Sequence, residues 1–287
     1  MSITAFIGVG SMGGAILKGY LEKKSAQPDA AAGSIRATTR SAESAQKWAN
    51  TPGLSMTATE TDSAANLKAV RDATTVVLGV KPWAITETIT EIAPALAGDA
   101  TIISVAAGIT IETMQAALAA ADAPARVTVI RAMPNTPAHI GRGVTGLAAA
   151  ADAPQEAVSK AVSLFQAVGE VLVVDEDRID ALSAVSGSGP AYLFWFTEQF
   201  IAAAERLGFS PEEAKLLAQN TVTGAAALLA GSDKSAAELR VAVTSPNGTT
   251  EQALKRFNRG FADGGMPELM DEALAAAVKR AAELAAG

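Results

Sequence analysis

Hydrophobic positions in the first half of the chain fall into short apolar runs separated by polar and glycine-rich segments. Short runs rich in Val, Ile and Thr are typical of strands buried at the centre of a parallel sheet. We predict strands at 3–7, 35–39, 75–80, 101–105, 126–130, 143–147 and 170–174. Helices are predicted at 62–70 and 155–168, and the last two strands are expected to extend the sheet at its far edge.

Strand patterns stop after Asp175, and apolar residues then recur at helical spacing. A long helix is predicted to open within 184–192, and others at 211–230, 235–241, 246–257 and 267–286. These helices carry more apolar surface than one small bundle can hide, so we expect part of it to be buried between subunits. The pattern predicts an α/β domain over 1–175 and an all-helical domain over 176–287.

A G-x-G-x-x-G motif stands between the first strand and the first helical pattern. Gly8 allows the tight turn, Gly10 lets the backbone approach a pyrophosphate, and Gly13 lets the helix pack on the strand. Together with the intervening Ser11 and Met12, they predict a Rossmann dinucleotide-binding domain. The alternative is a glycine turn in an unrelated α/β unit.

The end of the second strand indicates which dinucleotide is bound. An NAD-preferring site usually has Asp or Glu there to hold the ribose 2′-hydroxyl, and none is present in 35–41. Arg40 and Ser41 stand where a 2′-phosphate would lie, and a guanidinium suits that group. We therefore predict NADPH over NADH. The alternative is that Arg40 is a solvated loop charge and that both cofactors are used.

Three further segments follow predicted strands, at the sheet edge where ligands of open α/β folds bind. Val80-Lys81-Pro82 closes one strand, and Pro82 opens the next helix. The small residues 106–108 follow another strand and allow a cofactor ring to lie close to the backbone. The rigid loop 133–137, with two prolines, follows a third.

The amino-acid composition excludes several kinds of binding and catalysis. The net charge is −7 without a cluster of Lys or Arg, which argues against nucleic-acid binding. There is no Cys and one His, His139, so disulfides, thiolate nucleophiles and Cys- or His-rich metal sites are excluded. We expect His139 to be a loop or site-edge residue. Without a leader pattern or a membrane-spanning apolar run, the chain is expected to be cytoplasmic.

The segment 243–250, Val-Thr-Ser-Pro-Asn-Gly-Thr-Thr, predicts a tight turn that leads directly into a helix. Pro246 fixes φ, and Asn247 and Gly248 tolerate left-handed backbone. Thr249 and Thr250 begin the helix, and the N–H groups and hydroxyls there suit a carboxylate or phosphate. The alternative is an ordinary helix cap.

These motifs together resemble those of the pyrroline-5-carboxylate reductases, which make L-proline from 1-pyrroline-5-carboxylate with NAD(P)H. The matching segments are 8–13, 80–82, 106–108, 133–137, 187–190 and 244–250, of which the last is the most specific. The resemblance implies a Rossmann domain followed by an all-helical dimerisation domain, in dimers that often form decamers. The family usually has Gly at Asn247 and often Pro at Ala236. We expect the turn to survive, because Asn is the next-best residue for positive φ.

The resemblance also implies roles for individual residues. It places Lys81 against the nicotinamide, Asn66 near the adenosine and the loop of Asn135 beside cofactor and substrate; a helix-surface amide is the alternative for Asn66. The predicted cofactor-binding residues are Gly8, Gly10, Ser11, Met12, Gly13, Arg40, Ser41, Asn66, Val80, Lys81, Pro82, Ala107 and Asn135. The predicted substrate-binding residues are Val243, Ser245, Asn247, Gly248, Thr249 and Thr250.

The predicted catalytic residues are Thr250 and Lys81, and no metal is expected. We expect the N–H groups of Gly248 and Thr249, with Ser245, to hold the substrate carboxylate. The Thr250 hydroxyl is expected to orient or help protonate the ring nitrogen.

Two other functions are open. A 3-hydroxyacid dehydrogenase also begins with G-x-G-x-M-G and ends in helices, but it uses a Lys in a G-x-x-x-N-K-like setting that Lys215 and Lys255 lack. A non-catalytic dinucleotide sensor or pyridoxal-phosphate-handling regulator would need the cofactor fold without a matching substrate loop. The intact segment 243–250 argues against it.

Overall fold

The computed structural model describes residues 3–26, 34–259 and 265–285. Its N-terminal part is built on one β-sheet. The described strands are β1 Ile3–Ile7, β2 Ile35–Thr39, β3 Leu54–Ala58, β4 Ala73–Leu78, β5 Thr101–Ser104, β6 Thr128–Met133, β7 Gly143–Ala149 and β8 Gly169–Val173. Their order is β3-β2-β1-β4-β5-β6-β7-β8. Neighbours pair in parallel except β6 and β7, which are antiparallel. The last two strands thus extend one edge of the sheet, as predicted.

Helices cover both faces of this sheet. They are α1 Ser11–Ser25, α2 Ala42–Gln46, α3 Ala65–Val70, α4 Ile85–Ile92, α5 Ile111–Ala120, α6 Gln155–Phe165 and α7 Ile179–Leu182. One apolar core joins buried residues of α3, α4 and α5 to the sheet, and a second joins those of α1 and α6. The sheet is therefore doubly wound, and the carboxyl ends of its central parallel strands form the usual ligand-binding edge.

Some element boundaries differ from the sequence predictions. β3 and α5 are not among the predicted elements, and α3 begins at Ala65 rather than at Asp62. β4 ends at Leu78 rather than Val80, because the chain turns at Gly79 to pack against the Gly8 loop. β6 continues to Met133, because the antiparallel pairing with β7 extends through that residue.

Beyond a π-helical turn at Ser183–Gly187, the described chain is helical. The helices are α8 Gly189–Arg206, α9 Pro211–Ala230, α10 Ala236–Ala242, α11 Thr249–Phe257 and α12 Met266–Ala285. The long helix α8 begins at Gly189, within the predicted opening at 184–192. Ala286, predicted to end the last helix, lies outside the described residues.

The chain divides into two compact units, 1–187 with 278–287, and 188–277; a domain boundary after Asp175 stays a prediction. In the second unit many large apolar side chains are exposed, including Phe194 at 66% and Leu269 at 56%. An apolar groove between α8 and α12 is lined by Tyr192, Leu193, Trp195, Phe196, Met266, Leu269, Met270 and Ala273. Exposed apolar surfaces of this kind are typical of sites that contact another protein, a membrane or a ligand.

Within 3–26, 34–259 and 265–285, none of the helices combines the length and hydropathy needed to cross a bilayer.

Candidate functional site

The glycine loop after β1 brings three chain segments into close contact. Gly8 has φ = 79°, and a Cβ there would lie 2.4 Å from the Val80 side chain. A Cβ on Gly79 would lie 2.9 Å from Gly8 O, and one on Gly13 would lie 3.3 Å from the same oxygen. Larger residues here would push α1 and the end of β4 away from the loop, so these glycines fix how closely the helix approaches the sheet.

The start of α1 fits the pyrophosphate of a dinucleotide. The first helical hydrogen bond runs from Gly14 N–H to Gly10 O at 2.8 Å. The N–H groups of Ser11, Met12 and Gly13 therefore have no hydrogen-bond partner within the helix. The helix has no side-chain cap and no acidic residue in its first turn, and a Cβ on Gly10 would meet nothing within 4 Å. Open space above unpaired N–H groups favours an anion here.

A chain of hydrogen bonds joins the glycine loop to α4. Gly8 N–H donates to Thr38 Oγ1 at 3.3 Å, and the Thr38 hydroxyl donates to Asn66 Oδ1 at 2.7 Å. Asn66 Nδ2 in turn donates to Glu91 at 2.9 Å. Asn66 thus lies beside the end of β2, where an adenosine ribose lies in this fold. Both polar atoms of its side chain are bonded to the protein, so Asn66 also supports the loop.

Arg40 and Ser41 directly follow β2. Ser41 caps α2, because its Oγ accepts from Ser44 N–H at 3.2 Å. The exposed Arg40 guanidinium forms no ion pair in the part of the chain that the structure describes. It is therefore available to a phosphate.

Glu60 lies beside these residues and was not among the predicted site residues. It follows β3, which pairs with β2 so that Ala58 is opposite Thr39. Glu60 N–H donates to Arg40 O at 3.1 Å, and the Glu60 carboxylate accepts from Ala42 N–H. A carboxylate thus stands next to the predicted 2′-phosphate position.

Lys81 and Ala107 mark the carboxyl ends of β4 and β5, and both are exposed. Val105 N–H donates to Leu78 O at 3.1 Å and ties the two strand ends together. Pro82 begins a short 3-10 turn, Pro82–Ala84. The predicted cofactor-binding residues therefore come from segments that follow the strands at one edge of the sheet, whereas all predicted substrate-binding residues lie in the second compact unit.

Asn135 holds the loop that follows β6. Its side chain is buried. Nδ2 donates to Ser186 O at 2.9 Å, and Oδ1 accepts from Val144 N–H at 2.8 Å. Asn135 therefore ties the loop to β7 and to the π-helical turn before α8. A contact with the cofactor stays a prediction, and one amide hydrogen remains for it.

Replacing Asn135 by Ala is expected to lower the free energy of unfolding by about 1–3 kcal/mol, because Val144 N–H and Ser186 C=O lose their partner. Urea denaturation measures the change. Asn220→Ala is the matched control, since Asn220 is exposed and its Nδ2 donates to Leu216 O within the same helix. Equal stability losses in the two variants would contradict the anchoring role of Asn135.

Two charged or titratable side chains flank the same loop. His139 Nε2 lies 3.2 Å from Ser11 Oγ, which agrees with the expected place of this histidine at the edge of the site. Arg131, which the motifs do not single out, is buried on β6 and pairs with Asp180 at 3.0 Å and Glu176 at 3.5 Å. The strand that leads into the loop is thereby fixed to the segment 176–182.

The segment 243–250 forms the predicted turn. Asn247 has φ = 58°, which confirms its use of left-handed backbone, whereas Gly248 has φ = −78° and is not left-handed. Gly248 N–H donates to Ser245 O at 3.0 Å and closes the turn. The Gly248 N–H, predicted to hold the substrate carboxylate, is therefore bonded within the turn, and its contact with a ligand stays a prediction. The first helical hydrogen bond runs from Gln252 N–H to Gly248 O at 3.3 Å. The N–H groups at the start of α11 therefore have no partner within the helix.

A carboxylate of the chain also lies at this helix start. Glu251 accepts from Asn247 N–H at 2.6 Å and lies 3.1 Å from Lys255 Nζ. The Lys255 ammonium and then the Asn247 N–H hold the pKa of Glu251 below its usual range. Glu251 is therefore ionised at neutral pH, and its charge is balanced within the helix. Ser245, Thr249 and Thr250 are exposed here, so their polar groups are available to a ligand.

Known proteins match this chain over nearly its whole length. Residues 176–284 match the model of pyrroline-5-carboxylate reductase dimerisation, and residues 3–108 match that of coenzyme F420-dependent NADP oxidoreductases. A pyrroline-5-carboxylate reductase of Pseudomonas aeruginosa is 40% identical over 282 residues, which cover 98% of this chain and 96% of that protein. The chain belongs to the pyrroline-5-carboxylate reductase family.

Two further reductases are also similar to this chain and support the family assignment. The Mycobacterium tuberculosis enzyme is 36% identical over 307 residues, covering 99% of this chain and 97% of that protein. The solved structure of the Coxiella burnetii reductase matches with a TM-score of 0.85 and 36% identity, over 99% of this chain and 98% of that one. The expected Rossmann domain and helical dimerisation domain are thus confirmed.

The departures of this chain from the usual reductase pattern do not disturb the local structure. Asn247 keeps the positive φ that the turn needs. Ala236 begins α10, which Ser235 and Glu238 cap reciprocally. The capping box stabilises the helix start without a proline.

Proposed function

We propose that this chain reduces 1-pyrroline-5-carboxylate to L-proline with NAD(P)H. The observation that carries the proposal is the start of α11, where Thr249 and Thr250 present exposed hydroxyls and N–H groups beyond the left-handed turn at Asn247. This arrangement suits a ligand that has a carboxylate beside a hydrogen-bonding ring nitrogen. Similarity to named reductases over nearly the full chain supports the same substrate.

The first compact unit supplies the cofactor contacts in this proposal. The N–H groups of residues 11–13 hold the pyrophosphate, and Arg40 and Ser41 hold the ribose end. Asn66 lies on the adenosine side, and the nicotinamide side is formed by Val80, Lys81, Pro82, Ala107 and Asn135. The uncapped start of α1 and the match to an NADP oxidoreductase model support a nicotinamide dinucleotide.

The reaction adds a hydride to the imine carbon and a proton to the ring nitrogen. When bound, the reduced nicotinamide supplies the hydride. Thr249 N–H and Thr250 N–H, with Ser245 Oγ, hold the carboxylate at the positive end of α11. Gly248 and Asn247 shape the turn, and Val243 leads into it. The ring nitrogen has one lone pair, so the Thr250 hydroxyl passes its proton to that nitrogen as the hydride reaches the carbon, and a water molecule returns a proton to the hydroxyl oxygen.

The cofactor preference in this proposal is for NADPH. Arg40→Gln is expected to raise the KM for NADPH by about 10-fold, the loss of one charge-assisted contact, with little change for NADH. Lys47→Gln is the matched control, because Lys47 is the cation that follows α2 and it pairs with Glu43 at 3.7 Å. Equal effects of Arg40→Gln on the two cofactors would contradict a phosphate contact and favour a solvated Arg40.

We further propose that the exposed apolar surface of α8 and α12 is covered by a second copy of the chain. The match of 176–284 to a dimerisation model supports this assignment. Assembly into a decamer and a cytoplasmic location stay predictions.

The proposed reaction is tested by cofactor oxidation with DL-pyrroline-5-carboxylate, run in parallel with NADPH and NADH. We expect oxidation that depends on the substrate and forms L-proline, identified by chiral chromatography. Tight NADPH binding without turnover of any cyclic imine would instead support a sensor. Turnover of 3-hydroxyacids would support a dehydrogenase.

A further inference from the structure

Glu60 follows β3 and lies beside the end of β2, the place where this fold normally has the acid that binds the ribose. In dinucleotide-binding sheets, an Asp or Glu at the end of β2 accepts a hydrogen bond from the 2′-hydroxyl of NAD. Here β2 ends at Thr39 without an acid. The parallel pairing of β3 brings one alongside, because Thr59 N–H donates to Thr39 O at 2.8 Å and Glu60 N–H donates to Arg40 O at 3.1 Å.

The Glu60 carboxylate is held in position by the backbone of the neighbouring segment. It accepts from the N–H of Ala42, the residue directly after Ser41. Glu60 and Arg40 are both exposed and do not form an ion pair with each other. The end of β2 therefore offers one carboxylate and one guanidinium that are not paired with each other.

We propose that Glu60 determines cofactor specificity by accepting a hydrogen bond from the ribose 2′-hydroxyl of NAD(H) and repelling the 2′-phosphate of NADP(H). Arg40 acts in the opposite sense, because its guanidinium attracts the phosphate. The balance of the two side chains sets the ratio of the two affinities, and the chain binds both dinucleotides. The proposal rests on the proposed function, since it takes the dinucleotide to lie on the glycine loop.

The test is the Kd of NAD⁺ and of NADP⁺, measured by isothermal titration calorimetry for the unaltered chain, Glu60→Gln and Glu43→Gln. In Glu60→Gln the amide side chain is isosteric with the carboxylate and keeps one oxygen that accepts from Ala42 N–H. The charge is lost, and the second acceptor oxygen is replaced by an NH2 donor. Glu43 is the matched control, because it is a carboxylate on α2 that is 87% exposed and pairs with Lys47 at 3.7 Å.

In Glu60→Gln we expect NAD⁺ to bind more weakly and NADP⁺ more tightly, so that the ratio of the NAD⁺ Kd to the NADP⁺ Kd rises about 10-fold. In Glu43→Gln we expect the ratio to change by less than about 2-fold, because an exposed, solvated charge is screened. Thermal unfolding of each variant checks that the fold is kept.

An unchanged ratio in Glu60→Gln would overturn the proposal. A parallel loss of both affinities would also overturn it, because that is the effect of a carboxylate that only holds α2. An equal shift in Glu43→Gln would overturn it as well, because net charge alone would then account for the change. Failure of the proposed reaction looks different, because cyclic-imine turnover is then absent whatever the ratio of the two Kd values. If the unaltered chain binds neither dinucleotide, this proposal is overturned as well.

Discussion

Removing the Thr250 hydroxyl will lower kcat/KM for pyrroline-5-carboxylate by about 10- to 10³-fold, the range for one positioned donor. Thr250 is the second residue of α11 and is exposed, so Thr250→Ala leaves the fold intact. The loss arises because the ring nitrogen reacts without a hydrogen-bonding partner at the moment it gains its proton. Steady-state kinetics at saturating cofactor measure the effect.

Thr250→Ser is the matched control for this result. Serine keeps the hydroxyl and removes only a methyl group, so most of the activity is expected to return. The Kd for NADPH should stay unchanged in both variants, because the cofactor residues come from the other compact unit. Full activity in Thr250→Ala would contradict the role of the hydroxyl.

Replacing Gly8 by Ala will lower the free energy of unfolding by about 2–5 kcal/mol, combining left-handed strain with overpacking. The residue has φ = 79°, and the added Cβ would lie 2.4 Å from the Val80 side chain. The loop must move away from the end of β4 to relieve the contact. Urea denaturation measures the loss, and unaltered stability would mean that the loop is not packed as described.

Replacing Gly10 by Ala is expected to weaken cofactor binding while leaving the stability of the fold nearly unchanged. Gly10 has φ = −98°, and an added Cβ meets nothing within 4 Å, so the free energy of unfolding is expected to change by no more than about 1 kcal/mol. In this fold the second glycine lets the backbone approach the pyrophosphate, so an added methyl group obstructs that approach. We therefore expect the NADPH Kd to rise about 10-fold or more. Tight NADPH binding in Gly10→Ala would show that the pyrophosphate does not lie there.

Features encoded in contiguous residues could be predicted from the sequence. The glycine loop follows from Gly8, Gly10 and Gly13, whose spacing needs no distant partner. The left-handed turn at Asn247 follows from Asn being tolerant of positive φ. The class of the fold follows from the switch after Asp175 between strand and helical periodicity.

Features that depend on register between distant segments could not be predicted in the same way. Glu60 reaches the end of β2 only through the pairing of β3, whose signal is the weak alternation of Leu54, Met56 and Ala58. The amide of Asn135 is engaged by Val144 and Ser186, which no local pattern indicates. The pairing of Gly248 N–H with Ser245 O likewise depends on the exact course of the turn.

The measurement that tests the central claim most directly is transfer of deuterium from NADPH labelled at both hydrogens of nicotinamide C4. With pyrroline-5-carboxylate as substrate, mass spectrometry and NMR of the product should show L-proline carrying one deuterium at C5, the former imine carbon. Proline without deuterium, or no proline from a folded chain that binds NADPH, would contradict direct hydride transfer and with it the proposed function.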